Sequence, residues 1–520
     1  MSREGFSAFV LRRRFVIFGV WLVHVFLIHY FVLGFVSWDG FGHRGVPVVE
    51  LLQHGAMNKD HYFEWSLTGY LPSVELVHIP FLYLFGLKGF IIGFPLVVLP
   101  LATAAIYLLI RELTGDDRAA TFGAFAYAAM PMINQQPFSG YIDFAVSGLL
   151  ALFLFALLRL RSHPGPRAYL VLALATAMFT MSRVQGIYVL LVVVPVVVYV
   201  AFVERERFRL RIPRPGVLGF ALAAIAVGSI PAICVQVWKY RTFGSPSFPA
   251  QFEMFGVRIG TGGLSLDDYF RLAGLGGHDW WSVLEGAWHG WIWHGSWPLG
   301  SFYASNHMAL GMLAPLALVL FAIYARRLTR TERWLFGALL AVSLLSRDLA
   351  VPRWGYTIVV VLAVVLGRSL SAMSTSPRAR PAFWAVIAIV SVHLLRPEFD
   401  YLQYRTDEVT PRMDMAGSPI FFRRSRAVEP FPDVHGKFEI IDTIANHFNL
   451  QIFGRQLSNE VLGTMPGAAV GARCANLASV LEREPAALFI DDEDFTKDCR
   501  RVCAFSWLRR CRAYQITPGP

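Results

Sequence analysis

Several blocks of this sequence run for close to twenty residues without a charged side chain, and this feature constrains the fold most. A bilayer core about 30 Å thick requires about 20 apolar residues per helix, whereas strands of a membrane barrel alternate in polarity over about ten residues. The blocks here do not alternate. With 55% hydrophobic and only 16% charged residues, the chain has too few charges to cover its apolar surface as a water-soluble domain. An all-α polytopic membrane protein is therefore predicted.

The apolar blocks predict about eleven transmembrane helices. The stretch 168–203 would be about 54 Å long as one helix, at 1.5 Å per residue, which is too long for one crossing. Because Arg183 and Gln185 interrupt it, two short spans meeting at a polar break are predicted, a break that needs protein or a wet cavity beside it. The predicted spans are 15–36, 89–110, 119–133, 142–158, 168–181, 186–203, 216–238, 307–324, 334–346, 354–370 and 382–395.

The basic residues predict the orientation. Lys and Arg collect in the cytoplasmic loops of membrane proteins, and here the predicted inner loops hold 21 of them while the outer loops hold 9. The N-terminus is therefore predicted inside and the region after residue 396 outside, in a multi-pass protein of the cell (inner or plasma) membrane. The same clustering between apolar blocks accounts for the net charge of +11 and argues against a nucleic-acid partner.

Two domains are predicted. Residues 1–396 form the transmembrane domain, with long outer loops at 37–79 and 239–306, and residues 397–520 form a small extracytoplasmic α/β domain. The first loop ends in an apolar stretch, Leu76–Leu87, that is expected to lie along the membrane surface.

The tail is expected to contain strands at Ala486–Ile490 and Ala513–Ile516 and a helix at 437–449. It also holds four of the five cysteines, and an even number outside the cell favours two disulfides. A zinc site and free thiols remain alternatives. The tail cysteines are Cys474, Cys499, Cys503 and Cys511.

Two carboxylates are expected at the outer face of the membrane, where a buried charge is costly and needs a reason. Asp39 follows the first span by a few residues, and Asp143 stands at the outer mouth of the fourth. Both are predicted at the same depth, so they can converge on one site. The structural alternatives are a helix-end charge facing water for Asp39 and an N-cap at a span start for Asp143.

Basic residues are predicted at the same depth as these acids. Arg183 lies in the polar break, Lys239 and Arg241 follow the seventh span, and Arg353 precedes the tenth. A fixed cation there can hold a phosphate, and an Arg can do so with two hydrogen bonds. The alternative is snorkelling towards lipid headgroups. Because the sequence has no glycine-rich nucleotide loop, an activated substrate is expected to come from the membrane or the outer space.

Four motifs, in this order along the chain, resemble those of the C-type (GT-C) membrane glycosyltransferases, whose members include protein O-mannosyltransferases and lipid A aminoarabinose transferases. They are Trp38-Asp39-Gly40-Phe41-Gly42-His43, Gly140-Tyr141-Ile142-Asp143, the stretch Tyr240–Pro249, and Val351-Pro352-Arg353-Trp354-Gly355-Tyr356. The resemblance covers residues 1–396 and leaves the tail uncovered.

The chain departs from the family pattern at three places. Gly40 stands beside Asp39 where the family often has a second acid, which leaves open whether the site takes a divalent cation. Arg183 occupies the place of the family's Lys in the break between short spans. Ser245 stands where an Asn is usual, and these last two changes suggest a subfamily.

The resemblance implies inverting transfer of a sugar from a polyprenyl-phosphate donor to a glycan, lipid or protein acceptor. It implies Asp39 as the general base, and Arg183 and Arg353 as the groups that hold the leaving phosphate. Asp143 would act with His43 to orient the base or the acceptor.

Other residues are weaker candidates for the same site. His61 and Glu64 would contact the acceptor, although a solvated loop accounts for them as well. Tyr141 belongs to the second acidic motif, and Lys239 and Arg241 to the outer cations.

Two rival functions compete with the transferase. A secondary transporter or lipid flippase fits broken spans with nearby charges, although no internal repeat relates the halves and the acids lie at the outer mouth. A non-catalytic subunit of an envelope-assembly complex would bind its partner through the tail.

Overall fold

The structure is a computed structural model in which eleven ranges and four short strands are described. The described ranges are 3–28, 44–55, 73–183, 186, 189–196, 215–246, 252–254, 257–259, 280–287, 310–345 and 355–395, and the strands lie at 437–440, 460–464, 488–491 and 513–515.

Helices account for nearly all of the described chain before residue 396. They are α1 (Arg3–Ile28), α2 (Val46–His54), α3 (Ile79–Phe85), α4 (Leu99–Thr114), α5 (Asp117–Ala129), α6 (Pro131–Ser139), α7 (Asp143–Ser162), α8 (Pro166–Ser182), α9 (Pro215–Phe243), α10 (Trp280–Ala287), α11 (Leu313–Tyr324), α12 (Arg330–Leu345), α13 (Tyr356–Thr375) and α14 (Arg380–Leu394). Residues 189–196 are also helical, and short 3₁₀ turns at Val74–His78 and Gly86–Ile91 flank α3.

Four of the described helical stretches are long and apolar enough to cross a membrane: 94–114, 143–160, 216–241 and 356–375. Each coincides with a predicted span, so the prediction of a multi-pass helical membrane protein is confirmed. Two boundaries differ from the prediction. The first helix begins at Arg3 rather than at residue 15, and α9 continues through Lys239 and Arg241 to Phe243.

The chain divides into two compact units. The first contains residues 1–28, 95–137 and 142–403, and the second contains 29–94, 138–141 and 404–520. The boundary predicted between residues 396 and 397 falls within residues 396–436, which lie outside the described part of the chain.

Glycines set the closest helix crossings in the first unit. A Cβ added to Gly367 of α13 would lie 2.4 Å from the carbonyl oxygen of Ala119 and 2.9 Å from the Cα of Gly123, both in α5. At Gly228 of α9, it would lie 2.4 Å from the carbonyl oxygen of Ala173 in α8. Small residues of this kind let helix backbones approach in membranes, where the hydrophobic effect does not drive helix association.

One end of the first unit joins helix termini that the charge count assigns to the inner side. Arg159 Nη1 at the end of α7 lies 3.1 Å from Glu112 Oε2 at the end of α4. Arg111 Nε lies 3.0 Å from Asp117 Oδ1 at the start of α5, and Ser371 near the end of α13 donates to the Asp116 carboxylate. These contacts agree with an alternating path of the chain through the bundle.

The other end joins termini that are predicted to be outer. Asn134 Nδ2 in α6 donates to the carbonyl oxygen of His393, 3.1 Å away near the end of α14. Ser343 of α12 and Thr357 of α13 share a hydrogen bond between their hydroxyl groups. Helix termini with opposite predicted sides therefore collect at opposite ends of the same bundle.

The second unit contains α2, the segment from Val74 to Phe94 and four strands. The strands are β3 (Lys437–Ile440), β4 (Glu460–Thr464), β5 (Leu488–Asp491) and β6 (Ala513–Gln515), and they form a parallel sheet in the order β4-β3-β5-β6. The first unit also contains β1 (Phe252–Met254), which pairs antiparallel with β2 (Val257–Ile259).

The tail departs from prediction at one segment. Strands occur at both predicted positions, but residues 437–440 are a strand where a helix was predicted, so the helix prediction is wrong there. The strand pairs on both sides, with β4 and with β5, and this non-local pairing outweighs the local pattern of the segment. The four tail cysteines lie outside the described residues, and Cys234 in α9 is exposed and free.

Candidate functional site

The candidate site lies where α7 begins and α8 ends. Asp143 is the first residue of α7, reached from α6 through Gly140, whose φ of 80° favours glycine. Arg183 directly follows α8 and has extended backbone, with φ −151° and ψ 139°. The break predicted from the sequence at Arg183 is therefore present, and it frees this side chain from the helical arrangement of its neighbours.

Asp143 and Arg183 form a buried ion pair. The Arg183 guanidinium donates through Nη2 to Asp143 Oδ1, and the side chains are only 13% and 3% exposed, respectively. Because buried charges are costly unless they are paired, each side chain stabilises the other at this position. The carboxylate also stands at the N-terminus of α7, where the helix dipole favours negative charge.

Gln136 joins this pair to the helix start. Its Nε2 donates to Asp143 Oδ2 at 3.4 Å, and its Oε1 accepts the backbone N–H of Phe144 at 2.8 Å. The first turn of a helix has backbone N–H groups without helical partners, so this side chain acts as a cap supplied by the preceding helix. Gln136 is fully buried.

Tyr356 supports Arg183 from α13. The guanidinium carbon lies 5.6 Å from the centre of the Tyr356 ring, which is within the range of a cation–π contact. Tyr356 is fully buried, and its ring packs edge-on against Phe179 of α8 at 6.1 Å. The guanidinium is thus held on one side by a carboxylate and on another by an aromatic face.

Tyr127 of α5 holds the first turn of α7 from behind. Its hydroxyl group donates to the carbonyl oxygen of Phe144 at 2.8 Å and lies 2.9 Å from Ser147 Oγ. All three residues are fully buried. The position of Asp143 is therefore fixed by packing from α5 and by the Gln136 cap.

Of the two cations predicted near the end of the seventh span, one is buried. Lys239 is 5% exposed, while Arg241 is exposed. Helices α8 and α9 run in the same direction, because the Tyr169–Phe220 contact and the Ala173–Gly228 crossing follow in the same order along both. Lys239 lies about 16 Å beyond the crossing along α9, at 1.5 Å per residue, on the side on which α8 ends at Arg183. Lys239 therefore belongs to the same end of the first unit as the ion pair.

The structure brings together part of the predicted site. Asp143 and Arg183 are in contact, as the prediction of an acid and a cation at one depth implies, and Tyr141 is 8% exposed. Asp39, His43, His61, Glu64 and Arg353 lie outside the described residues.

Sequence reasoning missed two residues of the site. Gln136 belongs to the polar run Asn134-Gln135-Gln136 between apolar segments, which was an available signal. Tyr356 stands in one of the family-like motifs but received no role. Within the described part of the chain, no three His, Cys, Asp or Glu side chains converge as metal ligands.

The fold and the site define a multi-pass helical membrane protein with a buried acid–arginine pair at one end of its bundle. Residues 72–230 match the family described as dolichyl-phosphate-mannose-protein mannosyltransferase. That stretch includes Gln136, Asp143 and Arg183 and is less than half of the chain. The resemblance to membrane glycosyltransferases that the motifs predicted is confirmed over these residues. No curated protein matches the chain.

Among solved structures, the chain is similar to ArnT from Cupriavidus metallidurans in the apo state, with 14% identity over 90% of this chain and 88% of that one and a TM-score of 0.49. ArnT bound to undecaprenyl phosphate matches with 13% identity over the same shares and a TM-score of 0.46. The apo oligosaccharyltransferase of Archaeoglobus fulgidus matches with 14% identity over 93% of this chain and 68% of that one, at a TM-score of 0.45. All three likenesses are distant.

Proposed function

We propose that this chain is a glycosyltransferase that moves a sugar from a polyprenyl-phosphate donor to an envelope acceptor at the outer face of the membrane. The observation that carries the proposal is the buried Asp143–Arg183 pair, because it stands within the stretch that matches a mannosyltransferase family. A polar break within a membrane helix bundle costs free energy. A role of Arg183 in the reaction accounts for the presence of this charged residue at that position.

Arg183 stabilises the phosphate that leaves. Transfer breaks the bond between the anomeric carbon and the phosphate oxygen, and negative charge grows on that oxygen as the bond breaks. A guanidinium held in advance by Asp143 and Tyr356 meets this charge without having to reorganise. Its planar fork also suits a phosphate better than an ammonium group does.

Asp143 acts through Arg183 in this scheme. Both of its carboxylate oxygens already accept hydrogen bonds, from Arg183 and from Gln136. A carboxylate engaged in this way is better suited to hold a cation than to remove a proton.

The proton is taken by Asp39. The acceptor hydroxyl or amine attacks the anomeric carbon from the face opposite the phosphate, so the configuration inverts, and its proton passes to the Asp39 carboxylate. Positioned proton transfer of this kind contributes roughly 10²–10⁴-fold to a rate.

The other residues of the proposed site surround these two centres. Arg353 shares the phosphate with Arg183, and the remaining outer cations line the approach of the lipid donor. His43 orients the base. The residues assigned to the acceptor or the approach are Tyr141, His61, Glu64, Lys239 and Arg241.

The test is transfer of labelled sugar by purified protein in detergent, from a panel of polyprenyl-phosphate sugars to a crude envelope extract. Wild type should turn over with at least one donor. Asp39→Asn should lose at least about 100-fold in turnover. Arg353→Ala should lose a similar factor, because one phosphate contact is gone.

Asp143→Asn tests the role of the pair, and Asp117→Asn is its matched control. Asp117 is 43% exposed and belongs to the other end of the first unit, where it pairs with Arg111. Asp143→Asn should reduce turnover about tenfold or more, and Asp117→Asn should leave it within about twofold. Full turnover by folded Asp143→Asn would remove the pair from the site. No turnover with any donor, from folded wild type, would favour the transporter or the assembly subunit.

A further inference from the structure

A pocket lies in the first unit, near the helix termini that the charge count assigns to the inner side. It has a volume of about 60 Å³, enough for more than one water molecule, and is formed by α11, the turn after it and α13. Its walls include Phe321, Ala325, Leu328, Val365, Arg368 and Ser369. The walls are mostly apolar, and their polar groups come from Arg368, Ser369 and Tyr324.

Arg368 supplies a cation whose terminal nitrogens face no partner within the described part of the chain. Its Nε donates to Glu332 Oε1, while the side chain remains 25% exposed. The other oxygen of Glu332 accepts from the N–H and the hydroxyl of Thr329, both at 2.8 Å. Both carboxylate oxygens of Glu332 thus already accept hydrogen bonds. The two NH₂ groups of Arg368 remain for a ligand.

Ser369 supplies a second polar group without a partner. It is fully buried, and its hydroxyl oxygen has no hydrogen-bond partner among the described residues. Because an unsatisfied buried hydroxyl group costs free energy, a ligand that accepts its hydrogen bond would gain affinity from it.

The surroundings of the pocket match a lipid. Val319 and Ile323 of α11 are 58% and 63% exposed, and Phe321 on the pocket wall is 38% exposed, so this helix presents apolar surface. Arg326 and Arg330, which follow directly, are exposed cations. Apolar surface beside a basic cluster at the inner face is the pattern of lipid headgroup sites.

We propose that this pocket binds the phosphate of a membrane lipid, with Arg368 and Ser369 on the phosphate and the apolar wall against the start of an acyl or prenyl chain. The site is separate from the Asp143–Arg183 pair and does not depend on the proposed transferase activity. The shared ligand chemistry is a lipid phosphate, which a glycerophospholipid or a polyprenyl phosphate can supply.

The test measures thermal unfolding of the purified full chain in an uncharged detergent with added ligands. Dioctanoyl phosphatidic acid should raise the unfolding temperature, whereas dioctanoylglycerol, which lacks the phosphate, and inorganic phosphate, which lacks the chains, should not. A short polyprenyl phosphate in a parallel arm identifies the source, since the better ligand of the two gives the larger shift at equal concentration.

Matched variants assign the effect to the pocket. Ala325→Phe fills the pocket wall and should weaken the lipid effect about tenfold or more in half-saturating concentration. Ala322→Phe adds the same ring one turn away at an exposed position of α11 and should keep the effect. Ser369→Ala should weaken it about threefold to tenfold, with the fold otherwise unchanged.

Three results would overturn the proposal. They are an equal shift with dioctanoylglycerol, an equal shift with inorganic phosphate, and an undiminished lipid effect in folded Ala325→Phe.

Discussion

The first unit contains two buried arginine–carboxylate pairs of similar chemistry but different construction. Arg183 pairs with Asp143 among helix termini that are predicted to be outer, and Arg368 pairs with Glu332 among those predicted to be inner. In both pairs the carboxylate is nearly inaccessible, with side chains 3% and 0% exposed. Burial and charge alone therefore do not distinguish the pair of the proposed site from the inner pair.

The difference lies in what else holds each pair. Glu332 belongs to a capping box at the start of α12, in which Thr329 donates to it and the N–H of Glu332 returns a hydrogen bond to Thr329 Oγ1 at 3.2 Å. Its arginine stands within a regular helix. Arg183 instead stands in a break between helical segments. One pair thus completes a helix start, and the other holds a cation where regular structure has stopped.

The largest expected effect is on stability, at the inner pair. Glu332→Gln removes the negative charge and leaves Arg368 without its counter-ion, so we expect a loss of about 3 kcal/mol in the free energy of unfolding. Turnover per folded molecule should stay near wild type. Chemical denaturation followed by intrinsic fluorescence gives the first quantity, and the sugar-transfer assay gives the second.

Asp143→Asn is the matched change at the outer pair, and it should lower turnover as well as stability, because Arg183 loses both its counter-ion and the group that positions it for the phosphate. A stable Glu332→Gln variant with low turnover would make the inner pair part of the active centre and end the distinction between the two.

Only those residues of the site that stand out from their neighbours in the sequence could be predicted. Arg183 interrupts an apolar run, and Asp143 stands at the start of one, so both were candidates before their contact was known. Tyr356 is 173 positions from Arg183 along the chain, and only the packing of α8 against α13 brings its ring below the guanidinium. Pairing across such a distance depends on tertiary structure and has no local pattern.

The fold shows the same division between features that local sequence predicts and features that depend on tertiary contacts. Apolar length predicted the positions of the four long spans, because the bilayer imposes that length on each helix independently. Residues 437–440 were assigned to a helix because local periodicity does not report that two other strands lie beside them. The close approach of Gly123 to Gly367 was also not predicted, although small residues in spans are the general signal for it.

His78 is a buried group without an ionic partner among the described residues, and its expected effect on stability is smaller than the effect at Glu332. His78 in the second unit is fully buried, stacks on Phe90 and packs at a tilt against Phe94, with ring centres 4.3 and 4.2 Å away. Burial lowers the pKa of His78 from 6.5 to about 3. The unfolded segment therefore takes up a proton near pH 6.5 while the folded one stays neutral, so stability is lost as the pH falls from 6.5 towards 3.

Between pH 7 and pH 5 this loss should be about 2 kcal/mol for the segment around His78. Hydrogen exchange of residues 74–91, corrected for intrinsic rates, measures it. His78→Phe keeps an aromatic ring against Phe90 and Phe94 and removes the titrating group, so its protection should be independent of pH over this range. Equal pH dependence in the variant would assign the effect to other groups.

The smallest expected effect concerns Tyr356, and it separates the aromatic face from the hydroxyl group. Tyr356→Phe keeps the ring under Arg183, and Tyr356→Leu removes it. A cation–π contact of this burial contributes about 1 kcal/mol, so Tyr356→Leu should change the KM for the lipid donor about fivefold while Tyr356→Phe stays within about twofold of wild type. If Tyr356→Phe is as impaired as Tyr356→Leu, the hydroxyl group and not the ring supports the site. If neither variant changes KM or turnover, Asp143 alone holds the guanidinium, and the outer pair resembles the inner one more closely than its construction suggests.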